Sequence, residues 1–278
     1  MVITSAAILQ QALAPLRGTK TIGFVPTMGA LHEGHLSLLR QAKTCCDAAV
    51  VSIFVNPTQF NNPDDLKNYP RDTENDIKKL TSAGADIIFI PTEKDIYPEP
   101  DDRVFDFGAM DKVMEGFYRP GHFNGVAQVV DRLFRLVQPQ TAFFGEKDFQ
   151  QLAIIKSLVV QEQLPVRIVA CPIVREPDGL AMSSRNLLLS ESQRAHAPLI
   201  YQTLKSAVEK INNTTIPALK QWVQTTIDAD PTLETEYVAI VDAQSLQPVD
   251  EWTVAEHLQL CVAVYARPIR LIDNIRLK

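Results

Sequence analysis

Short β-branched runs alternate with amphipathic stretches through the first two thirds of this 278-residue chain, and that rhythm limits what it can fold into. Thr21 to Val25 (TIGFV), Ala48 to Val55 (AAVVSIFV), Asp86 to Ile90 (DIIFI), Thr141 to Phe144 and Val166 to Ala170 read as strands. Between them, Gly34 to Cys45, Thr73 to Ala83, Gly125 to Val137 and Phe149 to Val160 read as helices; Val126, Val129, Val130, Leu133, Phe134 and Val137 make an i, i+3, i+4 stripe. Strands without alternation are buried on both faces, and strand-helix-strand units close right-handed. The pattern predicts α/β architecture: a doubly wound, Rossmann-like, mostly parallel sheet.

The rhythm changes beyond Val174. Two helical stretches, Glu191 to Ile211 and Ile216 to Ile227, precede strand-like runs at Thr235 to Val241, Leu258 to Tyr265 and Ile269 to Asn274. Consecutive strands without helices between them predict a smaller α+β domain. The expected division is therefore 1–175 and 176–278, with Pro177-Asp178-Gly179 as a turn and hinge near the boundary. A 46% apolar composition supplies cores for both parts and excludes a disordered chain. The net charge of −6 argues against general nucleic-acid or membrane-surface binding, but a small anion needs only a few local donors. No apolar stretch is long enough to span a bilayer and no signal peptide is evident, so a cytoplasmic location is expected. Cys45, Cys46, Cys171 and Cys261 lack metal or disulfide spacing and are expected to be buried, reduced thiols. Glu99, Asp101 and Asp102, set among prolines, read as a solvated loop rather than a metal site.

Pro26 to Ala42 (PTMGALHEGHLSLLRQA) joins the first of these strands to the helix that follows. In an open parallel sheet, ligands sit at the carboxyl ends of strands, where the next helix N-terminus holds phosphate. Gly29 and Gly34 permit close backbone approach, and His32 and His35 share one face of the opening turn. Two imidazole donors there suit a phosphoryl group whose charge grows in a transition state. A zinc-protease reading fails because HEGH sets its histidines three apart instead of four. In FVNPTQF (Phe54 to Phe60), the amides of Asn56 and Gln59 suit an acid carrying hydroxyls. In FGEKDFQQL (Phe144 to Leu152), Gly145 allows close approach, Lys147 offers a point charge to phosphate, and Asp148 accepts from ribose hydroxyls. In REPDGLAMSSRN (Arg175 to Asn186), Ser183, Ser184 and Arg185 suit pyrophosphate, although a simple helix cap is the plainer reading, and Met182 suits an adenine wall. EGFYRPGHFNGV (Glu115 to Val126), with Arg119 and His122, reads as a loop forming a lid or substrate wall.

These five segments, in this order and spacing, resemble the pantothenate synthetase family, within the nucleotidylyl-transferase group that shares an HxGH signature with class I aminoacyl-tRNA synthetases. The resemblance runs over nearly the whole chain. One local departure is Ala127-Gln128 in GVAQVV, where Val/Thr-like residues are expected. The family implies an AMP-forming ligase that joins pantoate to β-alanine through pantoyl adenylate, with ATP as substrate, Mg²⁺ arriving with ATP, no metal held by protein ligands alone, and a homodimer. It implies pantoate binding by Gln59 and Gln151, with Asn56 beside them. The expected catalytic set is His32, His35, Lys147, Ser183, Ser184 and Arg185. ATP contacts are expected from these residues together with Pro26, Thr27, Met28, Gly29, Gly145, Asp148, Val174 and Met182, in a nucleotide domain over which the smaller domain closes. Two alternatives remain at this point: another HxGH nucleotidylyl transferase that stops at a nucleotide-linked product, and a nucleotide sensor without catalysis. The first leaves FVNPTQF and FGEKDFQQL together unexplained. The second leaves groups that act mainly on a transition state without a purpose.

Overall fold

A computed structural model describes Met1–Lys278. The chain forms two compact units: Met1–Phe107 with Arg119–Glu146 and Gln151–Pro172, and Gly108–Tyr118 with Lys147–Gln150 and Ile173–Lys278.

The first unit holds a six-stranded, all-parallel sheet built from β1 (Val2–Ile3), β2 (Ile22–Thr27), β3 (Ala48–Ile53), β4 (Ile87–Phe89), β5 (Thr141–Gly145) and β6 (Arg167–Cys171), in the order β1-β4-β3-β2-β5-β6. β3 is buried at every position, as expected of a strand covered on both faces. Val25, Val51, Ile88 and Phe143 of the sheet pack with Leu39 of helix Glu33–Cys45 and Leu80 of helix Thr73–Ser82. Strand order reverses between β2 and β5, which makes the crevice outside their carboxyl ends the topological switch point where such sheets bind ligands. PTMGALHEGH follows β2, and FGEKDF overlaps the end of β5.

The second unit contains an antiparallel sheet of β7 (Glu234–Asp242), β8 (Leu258–Ala266) and β9 (Ile269–Arg276). Leu204 from helix Leu199–Lys210 and Leu219, Val223 and Ile227 from helix Ile216–Asp228 bury against Ile240, Leu260, Val262 and Val264. The expected Glu191–Ile211 helix is broken into Glu191–His196 and Leu199–Lys210. Pro198 lacks the N–H and has the ring that a continuous helix excludes.

Other differences have equally local causes. The two-residue β1 and helix Ala6–Leu13 escape periodicity analysis because the strand is too short, whereas Ser5 caps the helix by accepting from the Ile8 N–H. The thiol expectation fails for Cys45, which is exposed at the end of its helix, and for half-buried Cys46; Cys171 and Cys261 are buried, and all four are free. Nor is Asp101 part of a solvated loop. Its nearly buried carboxylate accepts from Arg103 Nη2 at 2.7 Å and Arg132 Nε at 3.1 Å, and the Arg103 guanidinium holds it well below the usual carboxylate range. Arg103 Nη1 also reaches Asp131, a fully buried carboxylate on helix His122–Val137, at 2.6 Å. Gln128 on the same helix is satisfied by donating to the carbonyls of Asp101 and Arg103.

Candidate active site

The turn after β2 is shaped by hydrogen bonds that begin inside the sheet. Thr27 Oγ1 donates to the Ser52 carbonyl at 2.7 Å and accepts from the Gly29 N–H at 3.3 Å. Gly29 and Ala30 then both take left-handed conformations, with φ of +83° and +48°. A Cβ at Gly29 would lie 3.0 Å from Asp76 Oδ2 and 3.1 Å from Ile53 Cγ2, so the turn requires glycine on both backbone and packing grounds. The chain leaves this turn at His32, the N-cap of helix Glu33–Cys45.

His32 and His35 are side by side, their ring centroids 4.0 Å apart. The His32 N–H donates to His35 Nδ1 at 3.3 Å, as one half of a capping box. Because Nδ1 accepts, neutral His35 carries its proton on Nε2, which becomes the donor atom. Local folding thus fixes the tautomer, and the half-buried ring sits where helix N–H groups already favour anions.

At the carboxyl end of β3, FVNPTQF forms a tight 3₁₀ turn over Pro57–Gln59. Asn56 is almost fully buried and its amide is engaged within the protein. Nδ2 donates to the Gly125 carbonyl at 3.1 Å and to Thr58 Oγ1 at 3.0 Å, while Oδ1 accepts from Tyr97 Oη at 3.0 Å. Burial pushes the Tyr97 hydroxyl pKa up, which keeps that donor protonated. Asn56 Nδ2 also approaches Gln59 Oε1 at 3.4 Å, and Gln59 Nε2 donates to Met28 Sδ at 3.0 Å. A thioether is a weak acceptor, so Gln59 Nε2 is readily released to a stronger one.

EGFYRPGHFNGV differs from the expected loop. Met114–Tyr118 is a short helix, and His122 opens helix His122–Val137 instead of lying in a lid. His122 is buried, and its Nδ1 lies 2.8 Å from the Gln59 carbonyl, to which it donates. A Cβ on Gly125 would come within 2.3 Å of the Thr58 carbonyl oxygen and 2.8 Å of Gln59 Cα. This segment is therefore a rigid backing for Gln59. Glu115, expected in the same wall, is instead held bidentately in the second unit by Arg270, at 2.7 and 2.8 Å.

Of the expected residues, Pro26, Thr27, Met28, Gly29, His32, His35, Asn56, Gln59, Gly145 and Gln151 belong to the first unit. Lys147, Asp148, Val174, Met182, Ser183, Ser184 and Arg185 belong to the second. There, Lys147 Nζ is 4.0 Å from Asp148 Oδ1, the outer limit of an ion pair, and the Lys147 carbonyl accepts from Asn274 Nδ2 at 2.9 Å. Asp273, beside Asn274 on β9, receives both terminal nitrogens of Arg175 at 2.6 and 3.0 Å. Arg175 stacks over the Tyr201 ring at 3.6 Å and begins the hairpin whose other arm leads to Ser183. Met182 N–H donates to the Val174 carbonyl at 3.0 Å, closing that hairpin. Ser183 Oγ accepts from the Arg185 N–H at 3.3 Å, so the serine does cap the short 3₁₀ helix Ser184–Leu188.

Sequence reasoning missed Asp76, Lys79, Gly125 in its packing role, and Asp273 with Asn274. Two of these sites carried a signal. Asp76 lies four residues before fully buried Leu80 on one helix and so shares its inward face; Asp273 and Asn274 are adjacent polar residues between Ile272 and Ile275 in the middle of a strand. No group of three or more His, Cys, Asp or Glu residues suited to a metal ion is present, and no helix is long and apolar enough to cross a membrane.

The family model for pantoate-beta-alanine ligase matches residues 1–276. The chain belongs to the pantoate-β-alanine ligase family. It is 51% identical to a pantothenate synthetase of Porphyromonas gingivalis over 276 residues, covering 99% of this chain and 98% of that one. It is 50% identical to one of Bacteroides fragilis over 279 residues, covering 100% and 99%. The crystal structure of pantothenate synthetase from Thermus thermophilus is similar with a TM-score of 0.93, at 41% identity and 99% coverage of both chains. A pantoate-beta-alanine ligase from Francisella tularensis, complexed with beta-gamma ATP and beta-alanine, matches with a TM-score of 0.84 and 35% identity, covering 100% of this chain and 97% of that one.

Proposed function

We propose that this chain condenses pantoate with β-alanine, using ATP and releasing AMP and pyrophosphate. A carboxylate cannot acylate an amine directly, since its oxygen is a poor leaving group. In the first step a pantoate carboxylate oxygen attacks the α-phosphorus of ATP, the bond to the bridging oxygen breaks, and pyrophosphate departs from the mixed anhydride pantoyl adenylate. In the second, the β-alanine amine attacks the acyl carbon; the acyl–oxygen bond breaks, AMP leaves and the amine gives up a proton. No protein nucleophile enters, so acceleration comes from alignment and from donors matched to developing charge.

The observation that carries this reading is the His32–His35 turn, whose own hydrogen bond makes His35 Nε2–H the donor. His32 and His35 stabilise the phosphoryl oxygens as charge builds. Lys147, Ser183, Ser184 and Arg185 bind the phosphates, Asp148 the ribose, and Pro26, Thr27, Met28, Gly29, Gly145, Val174 and Met182 the nucleotide's remaining surface. A Cβ at Gly145 would meet nothing beyond its chain neighbours within 4 Å, so packing against the rest of the protein does not explain glycine there, which supports close ligand approach. Gln59 and Gln151 recognise pantoate, and Asn56 holds Gln59 in place. Magnesium enters on ATP. A homodimer belongs to the same reading and rests on the family resemblance, and a cytoplasmic location is the compartment expected from the sequence.

The purified chain, incubated with pantoate, β-alanine and magnesium-ATP, is expected to form the amide with equimolar AMP and pyrophosphate. Release of ADP and orthophosphate would identify an acyl-phosphate mechanism and overturn the reading. A nucleotide-linked pantoate that persists in the presence of β-alanine would make the chain a nucleotidylyl transferase.

A further inference from the structure

Asp76 carries no assigned role, yet it is 1% exposed and faces the turn that delivers both histidines. Oδ2 accepts from the Ala30 N–H at 2.8 Å and Oδ1 accepts from the Leu31 N–H at 2.7 Å. One turn further along the same helix, Lys79 Nζ donates to the Leu31 carbonyl at 2.6 Å. Helix Thr73–Ser82 therefore grips three consecutive peptide groups immediately before His32. Those peptide groups include two left-handed residues, one of them a non-glycine, a conformation that persists only where surroundings over-determine it.

We propose that Asp76, assisted by Lys79, is a positioning residue for the adenylation step: its carboxylate locks the Gly29–Leu31 turn so that His32 and His35 meet the phosphoryl group in register. This rests on the functional reading above. A paired-N–H cradle needs two acceptor atoms at fixed separation, and a carboxylate supplies both. An asparagine replacement sets an NH₂ against one of the two N–H groups, so one bond is lost and a donor–donor contact replaces it. The altered turn then moves the histidines, and a misplacement near 1 Å costs about 100-fold in rate.

Asp76 also lines a cavity of about 200 Å³ with Met28, Gly29, Phe54 and Arg71, where an acid could instead bind the incoming amine. Its engagement by two main-chain N–H groups favours positioning, and the two roles separate kinetically. The wild type is first assayed for pantoate-dependent exchange of labelled pyrophosphate into ATP; its absence would refute the functional reading itself. Given that exchange, Asp76→Asn is expected to lower it roughly 100-fold, chiefly in kcat, while amide formation from chemically prepared pantoyl adenylate and β-alanine keeps its rate and its KM for the amine. Lys79→Met, at a half-exposed site, is expected to show the same selective loss at roughly 10-fold, and it decides the matter if Asp76→Asn fails to fold. Wild-type exchange in the folded variants would overturn the proposal. So would a raised KM for β-alanine, or equal loss in both half-reactions.

Discussion

Replacing His35 by alanine is expected to leave a folded protein whose AMP-forming turnover is about 100- to 1000-fold slower, the usual cost of removing one preorganised donor to a developing oxyanion. The substitution also deletes half of a capping box, for about 1 kcal/mol of stability. The two effects separate because His35 Nδ1 bonds the local backbone, whereas Nε2–H is the donor proposed to meet substrate. Thermal unfolding monitors the first effect and initial rates of AMP release the second. Near-normal turnover in the folded variant would reduce His35 to a cap.

Gly125→Ala is expected to damage pantoate recognition through Gln59, the residue proposed to make that contact, because residue 125 packs directly against it. The added Cβ would lie 2.3 Å from the Thr58 carbonyl oxygen and 2.6 Å from its carbon, so backbone opposes backbone and no flexible side chain can yield. The turn must move. The hydrogen bonds from Asn56 to the Gly125 carbonyl and from His122 to the Gln59 carbonyl cross the same interface, so the shift displaces Gln59 with it. Calorimetric pantoate affinity should fall about 100-fold, with a stability loss of about 1–3 kcal/mol and ATP affinity within a few-fold of wild type. Unchanged pantoate affinity would detach the Pro57–Gln59 turn from substrate recognition.

The parallel sheet was legible because buried strands and amphipathic helices have periods that survive in sequence, as in AAVVSIFV and the Val126–Val137 stripe. The candidate site was legible where residue type and chemistry coincide, as in HEGH following β2. Contacts between segments distant in sequence were not. Asp76 is 45 residues from the Leu31 N–H it accepts, and nothing in TENDIKKL announces that partner. Gly125 shows the same limit: a glycine four residues into the helix reads as a weakness until Thr58 is found against it. Asp101 was misread for a related reason. Its local composition is that of a solvated loop, but Arg132, 31 residues away, and Arg103 neutralise it as it is buried. Tertiary partners decide such residues, and periodicity does not record them.

Pantoate is expected to be activated on AMP before any amine takes part. Incubating the wild-type protein with magnesium-ATP, labelled pyrophosphate and pantoate, with β-alanine omitted, tests it most directly. Label is expected in ATP, and none when pantoate is left out, because adenylate formation is reversible and needs only those two substrates. Exchange that requires β-alanine, or release of ADP in place of exchange, would contradict it.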